Sequence, residues 1–171
     1  MSRFQNDLVD LVPRLRRFAY ALTGSRDAGD DLVQSACERA LRRQDQFTLG
    51  TRLDSWMFRI MQNLWIDQRR RLRVRGTEVE PESLTLSDGG RGSRHVEDQM
   101  TLERVRAAVD TLPGDQRAVL VLVAIEGMNY REAAGVLDLP VGTVMSRLSR
   151  ARDRLAGVLG IEAEERRGWV Q

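Results

Sequence analysis

The stretch YREAAGVLDLPVGTVMSRLSRARDRL, residues 130–155, decides the fold class because it joins two short helical patterns through a tight turn. The first pattern, YREAAGVL, contains Ala133 and Ala134, which are small enough to let another helix cross closely. Pro140 and Gly142 then interrupt the helical spacing. The second pattern contains four arginines and a single acidic residue. Helix, short turn and basic second helix is the layout of a helix-turn-helix, whose second helix enters the DNA major groove.

A helical projection divides the second pattern into an apolar stripe and a polar face. The apolar stripe consists of Val141, Val144, Leu148, Ala151 and Leu155. The opposite face carries Gly142, Ser146, Ser149, Arg150 and Asp153. The stripe is flanked by Arg147, Arg152 and Arg154, and Met145 lies at its edge. A solvated amphipathic helix in a bundle would show the same spacing, so this segment alone favours DNA binding without deciding it.

The composition is typical of a soluble globular chain that forms one ordinary domain or two small ones. Of 171 residues, 42% are hydrophobic and 30% are charged, which is too apolar for general disorder. No apolar run approaches the roughly 18 residues that a membrane span needs, so we expect no membrane insertion. The first residues show no secretory signal, and a single cysteine fits a reducing cytoplasm.

The sequence is poor in residues for metal binding and covalent catalysis. Cys37 and His95 are its only cysteine and its only histidine, which is too few for a standard zinc site. No set of nucleophile, histidine and acid exists outside flexible sequence. We therefore expect no metal, no cofactor, no small-molecule substrate and no enzymatic activity.

Charge divides the chain into three parts. All 27 basic residues are arginines. Residues 1–75 hold 15 Arg against 9 Asp and Glu, a net of +6, and residues 76–98 hold 2 against 6, a net of −4. Residues 99–171 hold 10 of each sign. A basic module, an acidic connector and a balanced module suggest two bodies and a tether. The use of arginine alone favours phosphate contacts, although genome composition produces the same bias.

Helical periodicity covers both flanking parts, and no alternating strand pattern appears. It predicts helices near residues 3–23, 27–44, 53–73, 99–111, 115–126, 130–137 and 141–158. The Gly-, Ser- and acid-rich stretch after the third helix predicts a flexible linker. We therefore expect an all-α fold of two small helical modules, divided into a bundle at 1–75, a flexible acidic linker at 76–98, a helix-turn-helix module at 99–160 and a C-terminal tail at 161–171.

The helix predicted at 53–73 combines a broad apolar face with a narrow polar strip. Its apolar arc holds Trp56, Met57, Phe58, Ile60, Met61, Leu64, Trp65 and Leu72, so both tryptophans are more readily core residues than base-stacking ones. The remaining arc carries Arg59, Gln62, Asn63, Arg69 and Arg70, with Ile66 among them. Guanidinium groups suit a nucleic-acid backbone, and amides can hydrogen-bond to exposed base edges.

The helix predicted at 27–44 presents acidic residues on its outer side. Its buried side is predicted to consist of Leu32, Val33, Ala36, Cys37, Ala40 and Leu41. The outer side carries Asp27, Asp31, Gln34 and Glu38, which we call the acidic stripe. The helix dipole explains acids in the first turn but not Gln34 and Glu38 further along. An acidic stripe on a basic module would repel DNA, so we assign it to a basic protein partner.

Three motifs in this order resemble those of bacterial RNA polymerase sigma factors of the extracytoplasmic-function (ECF) type, group 4 of the sigma-70 family. DAGDDLVQSACERAL resembles the segment that docks on the polymerase clamp helices, and LDSWMFRIMQNLWID resembles the segment that melts and reads the −10 element. LPGDQRAVLVLVAIEGMNYREAAGVLDLPVGTVMSRLSRARDRL resembles the region-4 helix-turn-helix that reads the −35 element. The similarity covers roughly residues 8–75 and 99–159. In addition, LVPRLRRFAYALTG and GTRLDSW resemble stress-response members from alphaproteobacteria.

The resemblance implies a role for each candidate residue, with the first module as sigma region 2 and the second as region 4. The residues implied to contact core RNA polymerase are Asp27, Asp31, Gln34 and Glu38. Those implied to bind the −10 element are Arg59, Gln62, Asn63, Arg69 and Arg70, with Asn63 at the pocket for a flipped base beside the loop 46–54. Those implied to bind the −35 element are Thr143, Ser146, Arg147, Ser149, Arg150 and Arg152. The implied partners are core RNA polymerase, through its clamp helices and flap, promoter DNA and an anti-sigma factor.

The sequence alone leaves two other classes of protein as alternatives. A stand-alone helix-turn-helix regulator would bind a palindrome as a dimer, but it would need neither the acidic stripe nor a second DNA-binding face. An enzyme or a plain helical scaffold is disfavoured by the missing catalytic residues.

Overall fold

The computed structural model describes residues 2–76 and 96–161, with the backbone alone for residues 96–100. This part of the chain consists of helices and turns and contains no strand. The first module comprises α1 (Arg3–Thr23), α2 (Arg26–Arg42) and α3 (Leu53–Val74), with a short 3-10 turn at Gln44–Gln46. The second module comprises α4 (Val96–Asp110), α5 (Gly114–Leu120), α6 (Tyr130–Leu137) and α7 (Val141–Leu159). The predicted all-α fold of two helical modules is confirmed.

Two predicted boundaries differ from the structure. The helix predicted at 115–126 is not a uniform α-helix. Helix α5 ends at Leu120, and the chain continues as a π-helical turn at Val121–Ile125. The helix predicted at 99–111 begins three residues earlier, since α4 spans Val96–Asp110. Most of the predicted linker and of the predicted tail lies outside the described residues.

Local sequence signals explain how the helix-turn-helix begins and turns. Asn129 and Glu132 form a reciprocal capping box at the start of α6, in which each side chain accepts a hydrogen bond of 2.9 Å from the other's backbone N–H. Asp138 ends α6 in the left-handed conformation, with φ of 53°. Aspartate tolerates this conformation better than most residues, and it turns the chain toward Pro140, the N-cap residue of α7.

The core of the first module is built around a pair of aromatic rings. Phe18 of α1 and Phe58 of α3 are fully buried and meet edge to face, with ring centroids 5.0 Å apart. Met57 and Met61 are also fully buried. The tryptophans predicted for the core, Trp56 and Trp65, are half-buried and pack against this cluster.

The second module is organised around α7, which packs against α4, α5 and α6. Its predicted apolar stripe is buried at Val144, Leu148, Ala151 and Leu155. Val141 was predicted to lie on the same stripe, but it is 37% exposed. The reason is its position as the first residue of the helix, where no preceding turn covers it.

The two modules also pack against each other. Helix α1 lies against α5 and the π-helical turn, and α3 lies against α6. One continuous cluster of buried apolar residues contains Phe18 and Phe58 from the first module together with Val119, Leu122 and Val144 from the second. The sequence predicted two bodies and a tether without indicating this contact.

Candidate nucleic-acid and protein interfaces

The acidic stripe lies on the solvent-facing side of α2. All four of its residues, Asp27, Asp31, Gln34 and Glu38, are exposed. Within it, the Gln34 amide Nε2 donates a hydrogen bond of 3.3 Å to Glu38 Oε1. Glu38 also pairs with Arg42 at 3.6 Å, but both side chains are more than half exposed. Exposed pairs of this kind are weak and exchange readily for a partner's contacts, so the stripe is available for docking.

The opposite side of α2 is buried for most of its length. Leu32, Val33, Ala36 and Ala40 face the core as predicted. Cys37 is half-buried, and burial raises the pKa of its thiol, which makes it a packing residue rather than a reactive one. Leu41 was predicted to be buried but is 40% exposed, because α2 ends at the next residue and the chain leaves the bundle.

The polar strip on α3 is mostly open to solvent. Arg59, Asn63, Arg69 and Arg70 are exposed. Gln62 differs, since its side chain is half-buried and its Oε1 is buried without a hydrogen-bond partner. An unsatisfied amide oxygen is a costly feature that a nearby donor would relieve. Four of the five residues predicted for the −10 element can therefore be reached by a nucleic acid without rearrangement.

A loop precedes this strip, and an aromatic cluster supports it. Phe47 lies with its ring centroid 5.4 Å from that of Trp56, and Phe4 of α1 lies 5.8 Å from Phe47. Gly50 adopts φ of 92°, a conformation that favours glycine, so the loop can turn sharply back toward α3. The cluster holds the loop against the bundle beside the start of the strip.

The sequence did not reveal a role for Asp54, although this residue at the start of α3 fixes the end of the loop. It is buried, and its carboxylate accepts hydrogen bonds from Arg14 Nη2 at 2.8 Å and from Arg52 Nη2 at 2.9 Å. Burial opposes ionisation, but the two guanidinium groups outweigh it and lower the pKa of Asp54 to about 2. The spacing of α3 could not reveal this role, because Arg14 comes from a different helix.

Replacing Asp54 with Asn should lower the free energy of unfolding by roughly 2 kcal/mol at pH 7. A carboxylate with a lowered pKa stabilises the fold above its ordinary pKa of 3.8 and loses that contribution as the pH falls toward 2. The difference between wild type and variant should therefore shrink between pH 4 and pH 2. Urea unfolding across this range measures it. Asp7→Asn, at an exposed carboxylate 4.0 Å from Arg3, is the control and should change little. Equal effects of the two variants would contradict this role of Asp54.

The residues predicted for the −35 element lie on the outer face of α7, but they differ in how far they are exposed to solvent. Ser149 and Arg150 are exposed. The other predicted residues, Thr143, Ser146, Arg147 and Arg152, are half-buried. Arg147 pairs with Asp115 of α5 at 3.4 Å, and the Ser146 hydroxyl donates to the Thr143 carbonyl at 3.1 Å. The centre of the exposed face is thus formed by Ser149 and Arg150.

The described residues hold no group of three or more His, Cys, Asp and Glu side chains that could bind a metal ion. None of the described helices combines the length and apolar character that crossing a membrane requires.

Comparison with known proteins places both modules in one class. Residues 102–155 match the family described as sigma-70, region 4, and residues 8–62 match the sigma2 domain of PhyR. The ECF RNA polymerase sigma factor EcfG of Rhodopseudomonas palustris is 39% identical over 94% of this chain and 87% of its own length. The ECF sigma factor SigE of Mycolicibacterium smegmatis is 34% identical over 89% of this chain and 60% of its own length.

A solved structure agrees with this placement. The sigma factor RpoE of Bartonella quintana, determined in complex with the anti-sigma factor NepR, is 33% identical to this chain. The match covers 95% of this chain and 99% of that protein, with a TM-score of 0.76. A stand-alone helix-turn-helix regulator is therefore not favoured. The chain belongs to the ECF RNA polymerase sigma factors.

Proposed function

We propose that the acidic stripe docks on the clamp helices of core RNA polymerase and that the two DNA-binding faces then direct the enzyme to promoters. The observation that carries this proposal is the separation of the three predicted faces. The stripe lies on α2, the polar strip on α3 and the −35 face on α7, and each has exposed residues at its centre. One chain can therefore present one face to polymerase and two to DNA.

We assign region 2 to residues 1–75 and region 4 to residues 99–160, with the connector at 76–98 between them. In this division the exposed Arg59, Asn63, Arg69 and Arg70 contact the −10 element, together with Gln62. The function is binding rather than covalent chemistry, and it takes place in the cytoplasm, where polymerase and chromosome meet. The polymerase flap holds region 4 over the −35 element.

We also propose that an anti-sigma factor controls this chain. The support is the relative from Bartonella quintana, which was solved in complex with the anti-sigma factor NepR and resembles this chain over nearly its whole length. An anti-sigma factor would act by covering the exposed faces described above, so that polymerase and DNA could not reach them.

Binding to a promoter fragment with and without core RNA polymerase tests the proposed function. We expect the chain alone to give only salt-sensitive, non-specific binding, and the chain with core polymerase to give a stable, sequence-specific complex. Core polymerase with a variant whose −35 face is altered provides the matched control. Specific binding by the chain alone, with no gain from polymerase, would contradict the proposal.

Arg150 and Arg152 should contribute to −35 binding in different ways. Arg150→Ala should cost about 1–3 kcal/mol and relax the preference at one base pair, as losing a bidentate base contact does. Arg152→Ala should weaken all sequences alike and reduce the salt slope by about one, as losing a phosphate contact does. Both changes are measured by holoenzyme binding to a set of −35 variants at several salt concentrations. The same sequence-independent loss in both variants would contradict the assignment.

A further inference from the structure

The first two turns of α7 expose apolar side chains beside the residues predicted for the −35 element. Met145 is 51% exposed and Val141 is 37% exposed, although both are large apolar residues. We infer that Met145 recognises a thymine in the −35 element by packing against its C5-methyl group, and that Val141 borders the same contact. The inference rests on the proposed function, because it names the base that one position on this face of α7 reads.

Met145 lies in one row with Val141 and Ser149 along the outer side of α7. Side chains four residues apart are neighbours on a helix surface, with roughly 5–6 Å between their Cβ atoms. All three residues are exposed, whereas Val144 and Leu148 beside them are buried in the core. The row therefore forms one continuous surface that begins at the N-terminus of α7 and faces solvent.

None of the three side chains in this row carries a charge. Ser149 lies about 40° around the helix from Met145, whereas the exposed Arg150 lies about 140° from it. The outer face of α7 thus has one part with a guanidinium group and another part with a thioether and a hydroxyl. Arginine suits the acceptors of guanine in the major groove, so the part around Met145 requires a different base group.

Gly142 leaves open space next to Met145. It is exposed and lies three residues before Met145, on the same side of the helix. A Cβ atom added at Gly142 would meet no side chain and no neighbouring element within 4 Å. Because glycine has no side chain, its backbone can be approached closely by a ligand. The edge of a base pair can therefore come near enough to α7 to contact the Met145 side chain.

Thymine carries the apolar group that this surface fits. In the major groove the other bases present hydrogen-bond donors and acceptors, and thymine adds its C5-methyl group. Methionine has no donor and only a weak acceptor, so it gains little from a polar base edge. Its unbranched, flexible side chain adapts readily to a small apolar partner. The first residues of a recognition helix are those that contact base edges, and Met145 is among them.

The surroundings of Met145 favour DNA over a protein partner. Arg152 lies seven residues further, about 20° around the helix and roughly 10 Å along its axis. A phosphate held by Arg152 would therefore keep DNA along the row that contains Met145. Another exposed large apolar residue of α7, Val158, lies roughly 20 Å beyond Met145 along the axis. Two apolar sites this far apart do not form the continuous apolar core of a protein interface.

Replacing single thymines of the −35 element with deoxyuridine tests the inference. The replacement removes the methyl group and leaves every hydrogen-bonding group in place. Binding of the holoenzyme, formed with core polymerase, is measured for each thymine on either strand in turn. We expect wild type to lose roughly three- to fivefold in affinity at one thymine or at two adjacent ones. Met145→Ala should bind the thymine promoter more weakly by a similar factor and show no further loss at that position.

Two matched variants separate the methyl contact from other effects. Met145→Leu keeps an apolar side chain and should keep the loss at the same thymine. Val158→Ala shortens an exposed apolar residue of the same helix and should keep the complete wild-type pattern. All three substitutions are at exposed positions, so helical circular dichroism should stay unchanged.

Three results would overturn the inference. They are a Met145→Ala variant that keeps the wild-type loss at the same thymine, a wild-type chain that responds to no thymine, and a −35 element without an A·T pair. Weaker binding of Met145→Ala to core polymerase without DNA would also overturn it, since Met145 would then contact a protein. If the wild-type holoenzyme shows no sequence-specific promoter binding, the proposed function itself is wrong. Specific binding with no response to deoxyuridine contradicts the thymine contact alone.

Discussion

Combining Asp31→Arg with Gln34→Ala is expected to weaken binding to core RNA polymerase by on the order of a hundredfold or more. Both residues are exposed on α2 in the middle of the acidic stripe, so their replacement leaves the core of the bundle intact. The arginine would place a positive charge against a basic partner surface, and like charges across an interface cost several kcal/mol. Replacing Gln34 with Ala also removes an amide that could hydrogen-bond to the polymerase.

Competition against another sigma factor for core polymerase measures this effect. The matched control is Asn6→Ala with Asp7→Arg, which makes the same change of charge and amide at exposed positions of α1. The control should compete like wild type, and both variants should keep the salt-sensitive, non-specific DNA binding of the wild-type chain. If the stripe variant competes as well as wild type, the prediction that the acidic stripe on α2 binds core polymerase is wrong.

Asn63→Ala is expected to reduce strand opening at promoters by roughly a hundredfold while leaving polymerase binding unchanged. Asn63 is exposed on the polar strip of α3, about one turn after Arg59 and beyond the loop that Asp54 and Arg52 hold in place. An amide offers both a donor and an acceptor, so it can bind a base edge that melting exposes. A base that leaves the duplex must gain such contacts to offset the loss of stacking.

Permanganate footprinting on duplex and premelted templates measures strand opening. The variant should form closed complexes, fail to open duplex DNA, and recover only part of its activity on a premelted −10 bubble, because base capture is lost together with melting. Asp67→Ala is a suitable control, since Asp67 is also exposed on α3 but does not belong to the polar strip. Wild-type strand opening by Asn63→Ala on duplex DNA would show that Asn63 is a solvated surface residue.

The exposed faces could be predicted from the sequence because each lies within a single helix. A helical projection needs only the spacing of residues, and that spacing separated Asp31 and Gln34 from the buried Leu32 and Ala36. The projection failed at helix ends, where Leu41 and Val141 are exposed because no neighbouring turn covers them. Periodicity assumes a uniform environment along a helix, and that environment changes at its ends.

The contacts between modules could not be predicted in this way. Arg14 and Glu126 are 112 positions apart, and nothing in the spacing of either helix selects one as the partner of the other. Glu126 lay at the end of a predicted helix, where an acidic residue is ordinarily solvated. Its burial depends on how α1 packs against α5 and the π-helical turn, which is a property of the tertiary structure alone.

In vitro transcription with core RNA polymerase and a library of genomic promoter fragments tests the central claim most directly. We expect transcripts only when the chain and core polymerase are both present, and we expect their start sites to share one −35 and one −10 motif at constant spacing. The Asp31 and Gln34 variant should abolish these transcripts, and the Asn6 and Asp7 control should preserve them. The claim would be contradicted if no transcript depended on the chain while the chain alone bound palindromic sites as a dimer.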